Sequence, residues 1–229
     1  MPTIHSSFRF LALTSAAIGG ICVAGATSAQ AAYMTHLQSA PLSTIVLAAA
    51  EGKTQAQSGA EGFITSMAQR ALDFLSNAQQ TQAQKTESFR RLLEENYDME
   101  TIGKFTLGRY WKTATPAQQA EFQKLFRNYV VAMYSQRFSD YKGQKFDVTG
   151  SRADGETDTI VSSKVLPTDG GQEVQVDWRV RQTGGRYRVV DVVVAGVSMS
   201  MTQRSDFASV IQQGGGNIDA LINSLKSKT

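Results

Sequence analysis

From Gly62 onward, apolar residues recur at helical spacing. Phe63, Met67, Ala71 and Phe74 form one stripe, and Ile64, Ala68, Leu72 and Leu75 form the next. A second helix is predicted around Phe89, Leu92 and Leu93, with Arg90, Arg91, Glu94 and Glu95 on its wet side. A third starts at Asp98 as N-cap and stops at Gly108. In Thr115-Pro116-Ala117-Gln118, threonine caps, proline takes the first helical position and glutamine returns a hydrogen bond. The helix that follows is predicted to run to about Tyr141, with Phe122, Leu125, Phe126, Tyr129, Val130, Met133, Tyr134 and Phe138 on its apolar stripe.

After Gly143 the period falls to two. Val174, Val176, Trp178 and Val180 alternate with Gln175, Asp177, Arg179 and Arg181, so one side of this strand faces water. Gly184-Gly185 turns it into a partner strand over 186–194, and earlier strands are predicted over 145–150 and 157–166. Two short helices, 205–213 and 217–226, flank Gly214-Gly215-Gly216. Helices first and strands afterwards predict an α+β fold: N-terminal helices on a four-stranded antiparallel meander, closed by short C-terminal helices.

Composition narrows the chemistry. Hydrophobic residues make up 41% of the 229 and charged residues 19%, which excludes a disordered or low-complexity chain. The 23 Lys and Arg nearly balance the 20 Asp and Glu, too weak an excess for a nucleic-acid binder. The four guanidiniums of Arg179, Arg181, Arg186 and Arg188 gather on one hairpin; they read as a solvated strand face, with anionic headgroups or an acidic partner as the second reading. Cys22, His5 and His36 all precede position 37, so the later chain holds no Ser-His-Asp or Cys-His arrangement and no nitrogen–sulfur zinc site. The acidic clusters Glu94-Glu95 and Asp154, Glu156 and Asp158 read as solvated helix surface and turn, and no phosphate-cradling glycine motif occurs. No enzyme, cofactor or metal is expected.

The start of the chain reads as an address. Arg9, an apolar stretch from Phe10 to Ala26 and the small residues Ala29 and Ala31 predict a secretory signal over 1–31, removed in the mature protein. A start at Met34, with Ile45-Val46-Leu47 as signal core, leads to the same compartment. Residues 32–60, rich in Ala, Gln, Ser and Thr, are predicted to be a flexible arm, and 61–229 a single domain. Without cysteine, that domain is held by its core alone.

Two stretches carry a family resemblance. Ile102-Gly103-Lys104-Phe105-Thr106-Leu107-Gly108-Arg109-Tyr110-Trp111-Lys112 is followed by Thr115-Pro116-Ala117-Gln118-Gln119, and Ala195-Gly196-Val197-Ser198-Met199 by Phe207. Together with the helix aromatics, these resemble the MlaC or toluene-tolerance auxiliary transport family over about residues 60–226. The hopanoid-associated HpnM branch is similar in Gly62-Phe63-Ile64. The resemblance implies a periplasmic lipid carrier whose helices and curved sheet enclose an apolar pocket for acyl chains. Its ligand would be a phospholipid or, alternatively, a hopanoid. It implies two partners: an inner-membrane ABC transporter bearing an MCE-domain ring, and an outer-membrane lipoprotein and porin complex. It places pocket-lining character on Phe105, Tyr110, Trp111, Phe126, Tyr129, Met133, Val176, Trp178 and Val192. An envelope adaptor with a filled core is the reading from a different class.

Overall fold

A computed structural model describes residues 53–228; the predicted signal, Cys22, both histidines and most of the predicted arm lie outside the described residues. The chain runs through α1 (Gln55–Ser76), α2 (Gln82–Asn96), α3 (Met99–Leu107), α4 (Tyr110–Thr113) and α5 (Pro116–Ser135). The strands β1 (Lys145–Asp154), β2 (Asp158–Leu166), β3 (Val174–Thr183), β4 (Arg186–Val194) and β5 (Val197–Ser198) follow, then α6 (Met199–Gln213) and α7 (Ile218–Lys226). The architecture is α+β, with five strands in place of the four expected because a two-residue strand pairs with the end of β4.

Three helices begin the same way. Thr54, Thr81 and Thr115 each accept a hydrogen bond from the backbone N–H three residues on, while Gln57, Gln84 and Gln118 accept one from the cap's own N–H. Each box satisfies two of the donors that a helix start leaves open. The first box moves the start of α1 to Gln55 rather than Gly62, and Ala60, assigned to the arm, is fully buried. Asp98 and Gly108 close α3 as predicted, Gly108 with a positive φ of 59°. The long helix stops at Ser135, short of Tyr141, and a 3-10 turn over Phe138–Asp140 leads to the sheet. In turn, α6 starts earlier than expected, at Met199, with the Ser198 side chain accepting from the Met201 N–H.

The sheet is an antiparallel meander in the order β1-β2-β3-β4-β5. Pairing of β3 with β4 slips once: Arg179 faces Asp191 while Val180 faces Val189, so Val190 is an extra residue on β4. This bulge keeps Val189 opposite Val180 and Val192 opposite Trp178, all on one face. Two cores result. One joins Leu107, Phe122, Phe126, Phe207, Ile211, Leu221 and Leu225 of α3, α5, α6 and α7. The other packs Ala60, Ile64 and Met67 of α1 and Leu92 of α2 on Val161, Val180 and Val189 of the sheet. Tyr97 packs against both.

Candidate functional site

Tyr97 is placed by its backbone. As the extended C-cap of α2 it bridges Val189, and the next N–H, of Asp98, donates to Val189 O at 2.9 Å. This ties the helical layer to the open edge of β4. Between the two cores lies a cavity of about 300 Å³. Phe89, Leu93 and Tyr97 line it from α2 and its cap, Met99, Ile102 and Thr106 from α3, and Phe126, Val130, Met133 and Tyr134 from α5. Trp178, Val192 and Val194 form the sheet wall, and Asp191, Met199, Ser200 and Gln203 complete it. Among these lining residues, Tyr134 keeps 36% of its surface accessible.

The polar groups in this wall are mostly committed. Asp191 accepts from the Val192 N–H, the Ser200 N–H, the Ser198 hydroxyl at 2.6 Å and the Ser200 hydroxyl, which fixes the β4–β5–α6 corner. The Thr106 hydroxyl donates to Gly103 O. Burial raises the Tyr97 phenol well above its usual range, and the neighbouring Tyr134 adds to this. Tyr134 is likewise raised, first by burial and then by Tyr129. All three phenols therefore stay neutral at ordinary pH, including Tyr129, which burial also raises while its bond to the Gln203 side chain works the other way.

Four of the nine residues carried over by resemblance, Phe126, Met133, Trp178 and Val192, meet in this cavity. The other five stand elsewhere. Phe105, 39% exposed, lies under the Arg204 guanidinium on the outside of α3, one residue round from the Thr106 that faces in. Tyr110 and Trp111 pack against the helical core, with Arg109 and Lys104 over their rings. Tyr129 turns to Phe207, ring centroids 6.0 Å apart, and Val176 is buried one pair beyond Trp178 along β3. Residues left out include Met99, Ile102 and Thr106, which follow a spacing of three and four on α3 and so share one face. Phe89, Leu93, Val130 and Tyr134 were visible as helix stripes, but periodicity does not separate core from cavity wall.

The arginine hairpin proves to be largely paired. Arg179 meets Asp154, and Arg181 grips Asp158 with two hydrogen bonds of 2.7 and 2.9 Å. Arg188 donates to the carbonyls of Glu94 and Tyr97. Arg181 and Arg188, with Arg186 and Arg127, border a cleft of about 500 Å³ that shares Tyr97 and Met99 with the cavity but is lined mostly by charged and polar residues. The apolar cavity is the better candidate for a ligand. No described helix is long and apolar enough to cross a membrane.

The chain is 27% identical over 138 residues to the toluene tolerance protein ttg2D of Pseudomonas putida, a match that covers 60% of this chain and 64% of the relative. It is 26% identical over 132 residues to the intermembrane phospholipid transport system binding protein MlaC of Haemophilus influenzae, covering 56% and 61% of the two chains. The chain thus spans under two thirds of the length of the curated relatives it matches. A phospholipid-binding protein from Ralstonia solanacearum, solved in complex with a phospholipid, superposes with a TM-score of 0.64 at 23% identity over 74% of this chain and 96% of its own, which establishes a shared fold. The family model described as MlaC protein matches residues 65–227, and the chain belongs to that family.

Proposed function

We propose that this chain is a periplasmic carrier that holds the acyl part of a phospholipid in the cavity between α5 and the sheet, and moves it between the outer and inner membranes. The observation that carries the reading is the cavity itself: about 300 Å³ of space whose wall is formed chiefly by Phe, Leu, Met, Val and Trp side chains. Moving one 16-carbon chain into water costs on the order of 13 kcal/mol at about 0.8 kcal/mol per methylene, so unaided transfer across an aqueous compartment is very slow. A carrier needs to offer only apolar surface. It has no need of a nucleophile, metal or nucleotide, and directionality comes from its partners. In this reading those partners are an inner-membrane ABC transporter with an MCE-domain ring and an outer-membrane lipoprotein and porin complex. The predicted signal over 1–31 would deliver the chain to the periplasm. Support comes from the family membership and from the Haemophilus influenzae relative, which is named for an intermembrane phospholipid transport system.

Lipid extraction and mass spectrometry of the protein purified from a bacterial host test the reading. Phospholipid near one molecule per chain is the expected result. Recovery of no lipid overturns it, and recovery of polycyclic lipid alone replaces phospholipid with a hopanoid-type cargo.

A further inference from the structure

We propose that the phenol hydroxyls of Tyr97 and Tyr134 read the ligand chemically, donating hydrogen bonds to the ester carbonyl oxygens of a glycerolipid. This rests on the lipid-carrier reading above and names which lipids that carrier distinguishes. The observation behind it is a difference among the polar groups of one wall. Asp191 is held by four donors, Thr106 bonds to Gly103 O, and Gln203 bonds to Tyr129. Neither Tyr97 nor Tyr134 has a hydrogen-bond partner for its hydroxyl among the described residues. Among the described residues the buried side-chain polar atoms without a partner are on Gln80 and Gln123 and not on these tyrosines, so both hydroxyls stay accessible to an acceptor that enters the cavity.

Position then selects the chemistry. Tyr134 is 36% exposed and feels the charge of Arg137, and Tyr97 lies at the junction of the two cores, between the cavity and the polar cleft. A group bonded here is at the boundary between apolar interior and water. In a glycerolipid, the ester carbonyls occupy that boundary: they are attached directly to the chains, are uncharged, and accept hydrogen bonds without donating any. A phosphate would bring a charge into apolar surroundings, which is costly unless paired. An ether-linked lipid of the same shape keeps the apolar fit but is a much poorer acceptor at this point.

The test compares phosphatidylglycerol carrying two ester-linked palmitoyl chains with its ether-linked analogue, each titrated onto delipidated protein. The wild type, Tyr97→Phe, Tyr134→Phe and the double variant are measured. The wild type is expected to favour the ester lipid about tenfold, the effect of one to two net hydrogen bonds. The double variant is expected to bind both lipids equally, with ether-lipid affinity close to that of the wild type. Because the hydroxyls hold no protein partner, each variant should unfold at or slightly above the wild-type urea midpoint. Equal binding of the two lipids by the wild type overturns this inference alone, as does an undiminished ester preference in the double variant. A clear drop in midpoint for Tyr97→Phe overturns it too, by revealing a structural role. Failure of the wild type to bind either lipid overturns both this inference and the carrier reading.

Discussion

The indole N–H of Trp178 donates to the Ser163 hydroxyl across 2.9 Å, and that hydroxyl donates onward to Val176 O at 2.8 Å. Ser163 is fully buried on β2, and its relay orients the indole that forms part of the cavity's sheet wall. Ser163→Ala leaves both the indole N–H and the carbonyl without this partner. The expected loss is about 1–3 kcal/mol of unfolding free energy, read from urea denaturation followed by tryptophan fluorescence. Ser163→Thr, which keeps the hydroxyl, should lose less hydrogen bonding but crowds the site.

Two valines on neighbouring strands should respond in opposite ways to enlargement. Val192 faces the cavity, so Val192→Phe places its ring where the ligand lies. Bound lipid per protein, measured by extraction, should fall at least twofold, while the urea midpoint stays near the wild type. Val176 is 7% exposed and does not line the cavity. Val176→Phe should therefore cost about 1–3 kcal/mol through overpacking. If Val192→Phe kept its lipid, the ligand would have to lie elsewhere.

The three threonine caps should behave alike despite their different surroundings. Thr54→Ala, Thr81→Ala and Thr115→Ala each remove a side-chain acceptor from a helix start. Each should lower stability by about 1 kcal/mol in chemical denaturation, and Thr→Ser should restore most of it.

Acid should act in part through Asp158. The hydrogen bonds from Arg181 hold its carboxyl below the usual aspartate range; Thr157 and the charges of Arg181 and Arg179 assist, and burial opposes them. A carboxyl lowered in the folded state stabilises it above the unfolded pKa of about 4, and this stabilisation is lost as pH falls through the lower folded value. Wild-type stability should therefore fall more steeply below about pH 4 than that of Asp158→Asn, in parallel urea titrations. Parallel curves would remove Asp158 from the acid response.

The pattern of apolar and polar positions predicted the class, the order of elements and the hairpin at Gly184-Gly185, because a period change from 3.6 to 2 follows directly from side-chain geometry. The start of α1 was written in Thr54-Gln55-Ala56-Gln57, the same cap-and-return pattern as Thr115 to Gln118, but an alanine- and glutamine-rich context hid it. The cavity was only partly legible. Phe105 and Thr106 are adjacent in sequence, yet about 100° of helical rotation sends one outward and the other inward. The family resemblance put pocket-lining character on Phe105; the inward face belongs to Met99, Ile102 and Thr106. Asp191 and Gln203 face the cavity because of tertiary contacts that spacing along the chain does not encode.

The extra residue on β4 works as a parity switch. In a regular strand, Val189 and Val192 would point to opposite sides; with Val190 inserted, both serve the inner face, one for the core beneath α1 and the other for the cavity. The sheet wall of the cavity thus depends on a count of residues more than on their identities. Exchanging valine for isoleucine at 192 or 194 would leave the wall in place; keeping the three-residue spacing without the bulge would turn Val189 and Val192 to opposite faces, whereas deleting residue 190 would leave them two apart on a regular strand, both still facing inward.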